Sequence, residues 1–273
     1  GPEKLSWCGI VVLEVLFIAK ILVSIGAVVG LSLVAEHVSP RIAGILSGYP
    51  LGSAIALFFI GVEQSPEFAA EAAIHTLAGF TASLVLAWAY YAGAVRLKKG
   101  HLVAGAVAAL LGFLAASALL KQLSLGLLGG TLVTVAAIMF FVKIFSQIEN
   151  LPIKQRAKFT RGVLVFRAAM AALTIWLITA SAAWLGPVWA GLLSAFPITF
   201  FPLMLIIHLT YGKSLVFTVI KNYPLGLGAL ICYVITVSQT YTSLGLMWGT
   251  LMAFGVATLY LIALSLFLNR EKN

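Results

Sequence analysis

The sequence contains no aspartate, and its 8 acidic side chains are outnumbered by 17 Lys and Arg in 273 residues. That absence argues against divalent metals held by carboxylate clusters and against the Asp-dense motifs of membrane phosphotransferases. Charge of any kind is scarce, at 9% of residues, where a soluble domain carries about 25%. Cysteine is scarce too. Cys8 and Cys232 lie in apolar runs far apart and read as small packing residues, with neither a disulfide nor a metal site expected. No Ser/His/Asp arrangement, no His/Glu pair at zinc spacing and no phosphate-binding glycine loop can be found. The chain is therefore not read as an enzyme, and no catalytic residue, metal or cofactor is expected.

What the sequence has in quantity is apolar surface: 62% hydrophobic residues and a mean hydropathy of +1.10. Apolar runs near or beyond 20 residues follow one another with short breaks, the pattern of a polytopic all-α membrane protein. Nine spans are expected, at 8–34, 40–62, 68–94, 101–120, 124–145, 159–185, 187–211, 214–238 and 242–268. The first run contains Glu14 and Lys20 and lacks a cleavage-like end, so it does not read as a signal peptide. Gly1-Pro2 reads as a remnant of protease processing. With nine spans the loop cations divide eleven to two, Arg96, Lys98 and Lys99 on the richer side and Lys4 and Lys121 on the poorer. By the positive-inside bias the richer side is cytoplasmic, which puts the N-terminus outside a bacterial inner membrane and the C-terminus inside. The basic balance thus reports topology and anionic lipid contact, and no nucleic-acid partner is expected.

Two stretches interrupt these runs. "RIAGILSGYP" (41–50) and "VWAGLLSAFP" (188–197) match at Ala43-Gly44 with Ala190-Gly191, Leu46-Ser47 with Leu193-Ser194, and Pro50 with Pro197, all at an offset of 147. The same offset carries Lys20 onto Arg167, Glu14 onto Arg161 and Gly79 onto Gly226. Two four-helix repeats follow, residues 1–122 and 151–273, joined by a connecting span at 123–150. An odd connector turns the second copy upside down, giving the inverted repeat found in many secondary transporters.

The segment "AGLLSAFPITFFPLMLIIHLTYG" (190–212) resembles the second helix of the GlpM-like family of small four-helix bacterial inner-membrane proteins. "KILVSIGAVVGLSLVAEHVSPRIAGILSGYPLGSAIALFFIGVEQSPEFAAEAAIH" in the first half is similar to the same family. The resemblance covers roughly residues 10–120 and 160–268 and implies architecture more than activity; fusing two copies departs from the family's pattern. It also suggests that single-copy relatives pair antiparallel, and leaves room for a homodimer here.

Pro50 and Pro197 each remove an N–H and clash with the carbonyl one turn back, so each should break its helix near mid-membrane. Freed backbone groups there are tolerated inside protein or along a wet cavity. Ser47, Gly48, Pro50, Ser194 and Pro197 are therefore candidate substrate-binding positions, with simple kinked packing as the bland alternative. An embedded cation costs roughly 2.5–3.5 kcal/mol unless it faces a cavity or a partner. Lys20 and Arg167 are read as holding an anionic group, with an ion pair from Glu14 to Arg161 or Arg167 as the alternative. Glu14, Arg161, His75 and Lys221 are candidates for ion coupling or gating. His208 is expected near the inner interface, and Trp7, Trp88, Tyr90, Tyr91, Trp184 and Trp189 in the interfacial belts.

The leading expectation is a secondary transporter for a small anionic or zwitterionic solute, with membrane lipids as its other partners. A lipid or lipid-phosphate flippase and a non-catalytic membrane assembly subunit are the alternatives.

Overall fold

The computed structural model describes residues 7–36, 48–97, 99–149 and 160–270; the side chains of 7–13, 28, 31–36 and 268–270 lie outside that description. Among the described residues eight helices follow in order: α1 (Trp7–Glu36), α2 (Leu51–Glu63), α3 (Pro66–Arg96), α4 (His101–Lys121), α5 (Leu127–Phe145), α6 (Arg161–Ser194), α7 (Phe200–Tyr211) and α8 (Lys213–Arg270). No strand occurs among the described residues.

Helices α3, α4, α5, α6 and α8 are each long and apolar enough to cross a membrane, while α2 and α7 are shorter apolar helices. The chain is a membrane-embedded helical protein. Its outer faces agree: Leu111, Leu114 and Leu119 of α4 and Leu128, Leu132 and Met139 of α5 are exposed, as expected of side chains that meet lipid tails.

Two helices contain corners. In α6, Gly186 has φ 76° and ψ 175°; in α8, Gly245 has φ 75° and ψ 172°. A side chain at such a φ is strained, so glycine marks the place where each run turns. Around Gly245 the run folds back on itself as an antiparallel hairpin. The Tyr241 hydroxyl lies 2.8 Å from that of Thr250, and the Tyr260 hydroxyl donates to the Leu225 carbonyl at 3.3 Å. The arms, 213–244 and 246–270, correspond to the last two expected spans. The first is longer than the expected 214–238, because polar residues around Gln239 and Thr240 continue the helix instead of ending it.

Helix α3 sits at the centre, packed against α2, α4, α5, α6 and α8. Eleven of its 16 buried residues are small, among them Ala69, Ala72, Ala73, Gly79, Ala82, Ser83 and Ala87. Small side chains let neighbouring backbones approach closely, and in a bilayer that contact replaces the missing hydrophobic drive between helices. Its start is fixed locally. Ser65 caps it by accepting from the Phe68 N–H at 3.1 Å, Pro66 takes the first helical position and Glu67 the first turn.

Candidate functional site

Both proline motifs fall in non-helical turns that lead into a helix. Gly48–Pro50 forms a turn before α2, and residues 195–199 separate α6 from α7. The first half of the first motif, with Gly44 and Ser47, lies outside the described residues.

The two interruptions have the same backbone bonds. Leu51 N–H donates to the Tyr49 carbonyl at 2.8 Å, and Ile198 N–H to the Phe196 carbonyl at 2.8 Å. Ala54 N–H donates to the Pro50 carbonyl at 2.8 Å, and Phe201 N–H to the Pro197 carbonyl at 2.9 Å. Each pair is related by the offset of 147. In both cases the chain makes a three-residue turn centred on proline and then restarts a helix from the proline carbonyl.

The interruptions also pack reciprocally. A Cβ on Gly48 would stand 2.3 Å from the backbone of Gly226 in α8, and a Cβ on Gly79 of α3 would stand 2.6 Å from the Ala195 Cβ. Gly48 and Ala195 are 147 residues apart, and so are Gly79 and Gly226. Each break therefore presses on the helix that corresponds to its partner's neighbour. Gly191 is as tight: a Cβ there would lie 2.1 Å from the Ala72 carbonyl oxygen.

Pro197 cannot donate, and Ile198 donates to Phe196, which leaves carbonyls at the end of α6 without their helical partners. Other helices supply them. Ser53 of α2 donates to the Ser194 carbonyl at 2.8 Å, and Ser83 of α3 donates to the Ala195 carbonyl. The Ser194 hydroxyl itself bonds back to the Ala190 carbonyl at 2.7 Å. Phe200 stacks on Tyr223 at 3.8 Å. Between Ser53, Pro197, Thr199 and Tyr223 remains a gap of about 10 Å³, room for roughly one water.

A larger cavity, about 320 Å³, opens above the second break between α3, the α4–α5 loop and the short arm 187–194. His75, Lys121, Ser124 and Leu192 line it, and the Lys121 ammonium also lies 5.3 Å over the Trp189 ring. His75 is half-buried here, against Gly191. The volume falls at the lower end of small-molecule sites, and the cation at its mouth suits a negative group.

The remaining candidates are dispersed. Lys20 is buried and donates to the Glu63 carboxylate at the end of α2 and to the Thr179 hydroxyl of α6, the latter at 2.6 Å. Glu63 was missed from sequence. The available signal was an embedded lysine needing an acid, with Glu63 closing the next apolar run. Arg167 is 1% exposed. It precedes Thr179 by three helical turns, so about 18 Å of helix axis separates the levels of the two cations. The structure does not bring Lys20 and Arg167 to one site. Glu14 and Arg161 are exposed on α1 and α6. Lys221 donates to the carbonyls of Ile148 and Ser146, completing the C-terminal end of α5. Tyr90, expected in an interfacial belt, is fully buried, while Trp184 is 89% exposed.

These features define a membrane-embedded helical bundle in which two proline turns pack closely against neighbouring helices. No family model matches the chain, and neither a curated protein nor a solved structure does.

Proposed function

We propose that the chain is a secondary transporter for a small anionic or zwitterionic solute, working by rocking of two inverted four-helix repeats, 1–122 and 151–273. In this reading it is a fused two-copy relative of the GlpM-like proteins, spans a bacterial inner membrane nine times and has its N-terminus outside. The observation that carries it is the reciprocal contact: Gly48 on Gly226, Gly79 on Ala195. A pseudo-two-fold axis requires that if one position touches another, their counterparts touch in exchange. Interrupted helices meeting on such an axis are the site of alternating access in inverted-repeat transporters.

One asymmetry supports the same reading. His75 borders the 320 Å³ cavity, whereas Asn222, its counterpart at the offset of 147, is buried. An alternating-access protein caught in one state is open at one end and closed at the other. Lys121 and His75 at the mouth favour an anion, and the packed breaks form the barrier beneath.

Proteoliposomes supply the test, with uptake of labelled carboxylates and phosphates measured at two pH values. The expected result is saturable uptake of one class, weakened about tenfold or more by Lys121→Ala with His75→Ala. Uptake no faster than in empty vesicles for every solute would end the reading.

A second reading has its own observation. An apolar groove of about 310 Å³ runs between α1, α2 and the last arm of α8, lined by Val23, Ala27, Ile55, Phe58 and Phe254. It reaches Leu51 beside the first break, which suits an acyl chain and hence a lipid-phosphate substrate. Scrambling of labelled lipid in the same vesicles separates the two.

A further inference from the structure

Far from the His75 cavity, three polar side chains from three helices meet in a row. The Tyr90 hydroxyl of α3 lies 2.8 Å from His208 Nδ1 of α7, and His208 Nε2 lies 2.7 Å from His101 Nδ1 of α4. The two imidazole rings are parallel within 2°. Tyr90 is fully buried, His208 is 3% exposed and His101, the first residue of α4, is half-buried. The row therefore runs from the protein interior towards the end of the bundle. His75 and Tyr90 stand 15 residues apart on α3, about 22 Å along its axis, so the row lies near the opposite end from the cavity.

Proton counting gives the row a definite capacity. Two nitrogens face each other across 2.7 Å, and one proton fits between them. With both rings neutral, Tyr90 donates to His208 Nδ1, His208 Nε2–H donates to His101 Nδ1, and His101 keeps its proton on Nε2. A third ring proton enters at His208 Nδ1 and every contact survives, because the Tyr90 hydroxyl turns from donor to acceptor. A fourth would put hydrogens on both facing nitrogens and break the contact. The row holds one added proton and no more.

The helix dipoles favour the extra charge on His208 over His101. His208 occupies the last turn of α7, where the helix dipole favours a cation, whereas His101 opens α4, where the dipole opposes one. Burial of His208 opposes the charge most strongly, and His101 and Lys213 at the start of α8 oppose it further. Arg96 is exposed at the end of α3, and the α6 arm at 187–194 carries no titratable side chain. The row also breaks the internal symmetry: at the offset of 147 its members correspond to Val237, Gly61 and Trp248. A buried polar row that the repeat does not demand calls for a role of its own.

We propose that Tyr90, His208 and His101 form a one-proton binding site that supplies the coupling ion of the transporter. This rests on the transport reading for its purpose and on the geometry alone for its existence. His208 sits on the helix that restarts after the second break. Gaining or losing one proton there changes the charge and the Tyr90 contact at the foot of a rocking element.

The experiment uses the full chain, with ¹⁵N-labelled histidine, in lipid nanodiscs. A ¹⁵N–¹⁵N coupling between His208 and His101 across their hydrogen bond is expected. Between pH 8 and pH 5 one of the two rings should become an imidazolium while the other stays neutral. Tyr90→Phe, which keeps the ring packing, removes the acceptor of the charged form and should lower that midpoint by about half to one pH unit, since hydrogen bonds to charged groups are the stronger. Absence of the coupling, or two rings both cationic by pH 5, overturns the site. Its coupling role is read separately in proteoliposomes, where an imposed pH gradient should accelerate solute uptake by the parent and lose that effect in His101→Gln. An unchanged gradient effect in His101→Gln overturns the role. A parent that moves no solute overturns the transport reading and the coupling role with it, while the nanodisc spectra still decide the site.

Discussion

The two interruptions have one backbone and two sets of side chains. Their turns repeat bond for bond at an offset of 147, and their close contacts exchange partners. The polar groups around them do not repeat. Lys20 in the first half has Glu63, but the position matching Glu63 is Thr210; His208 in the second half corresponds to Gly61. In the proposed repeat, backbone turns and glycine contacts set how the halves fit together, and these recur at both places. The charged and polar side chains beside the two turns differ.

Substitutions can break that comparison at graded cost. Gly48→Leu should be the most severe, because its Cβ meets backbone at 2.3 Å and nothing flexible can give way. A loss of about 3 kcal/mol or more is expected from such overpacking, read as the drop in unfolding temperature in detergent. Gly79→Leu should match it if the contacts are equivalent; a mild effect at either position alone would mean they are not.

Glu63→Gln comes next. It leaves the buried Lys20 ammonium without its carboxylate, which costs about 3–5 kcal/mol for a fully buried pair. Glu63 is 21% exposed, so a loss nearer 1–3 kcal/mol is expected here once solvent relief is allowed for. Adding Lys20→Met should restore most of it, and the same thermal measurement reads both. No recovery in the double variant would mean that Lys20 serves something other than this pair.

Ser83→Ala removes the donor to the Ala195 carbonyl and should cost about 1–2 kcal/mol, the penalty of one unmet buried acceptor. Gly26→Ala sets the baseline. Nothing lies within 4 Å of a Cβ at that position, so the change should be neutral or slightly stabilising, within about 0.5 kcal/mol.

Much of the architecture was legible because membranes make sequence simple. Long apolar runs report helices, and proline and glycine punctuate them: Pro50 and Pro197 stand in turns ahead of helices, and Gly186 with Pro187 marks a corner. The site was less legible. Lys20 and Glu63 are 43 residues apart, and no periodicity connects a lysine in one helix to a glutamate closing another. Glu63 ends its span beside other acids in "EQSPE" and reads as a loop charge. Tyr90 and His208 each look interfacial alone; the row they form also needs His101, whose place at the start of α4 gives it no distinction in the sequence.

The proposed inversion of one half against the other is tested most directly by sidedness. Glu67 and Ser214 are exposed counterparts at the offset of 147, each in the first turn of its helix. In a chain with Cys8 and Cys232 replaced by Ala, Glu67→Cys and Ser214→Cys would be labelled in intact cells with a membrane-impermeant maleimide. Labelling of Cys at 67 from outside, with that at 214 reached after lysis, is the predicted result; labelling of both from the same side would contradict it.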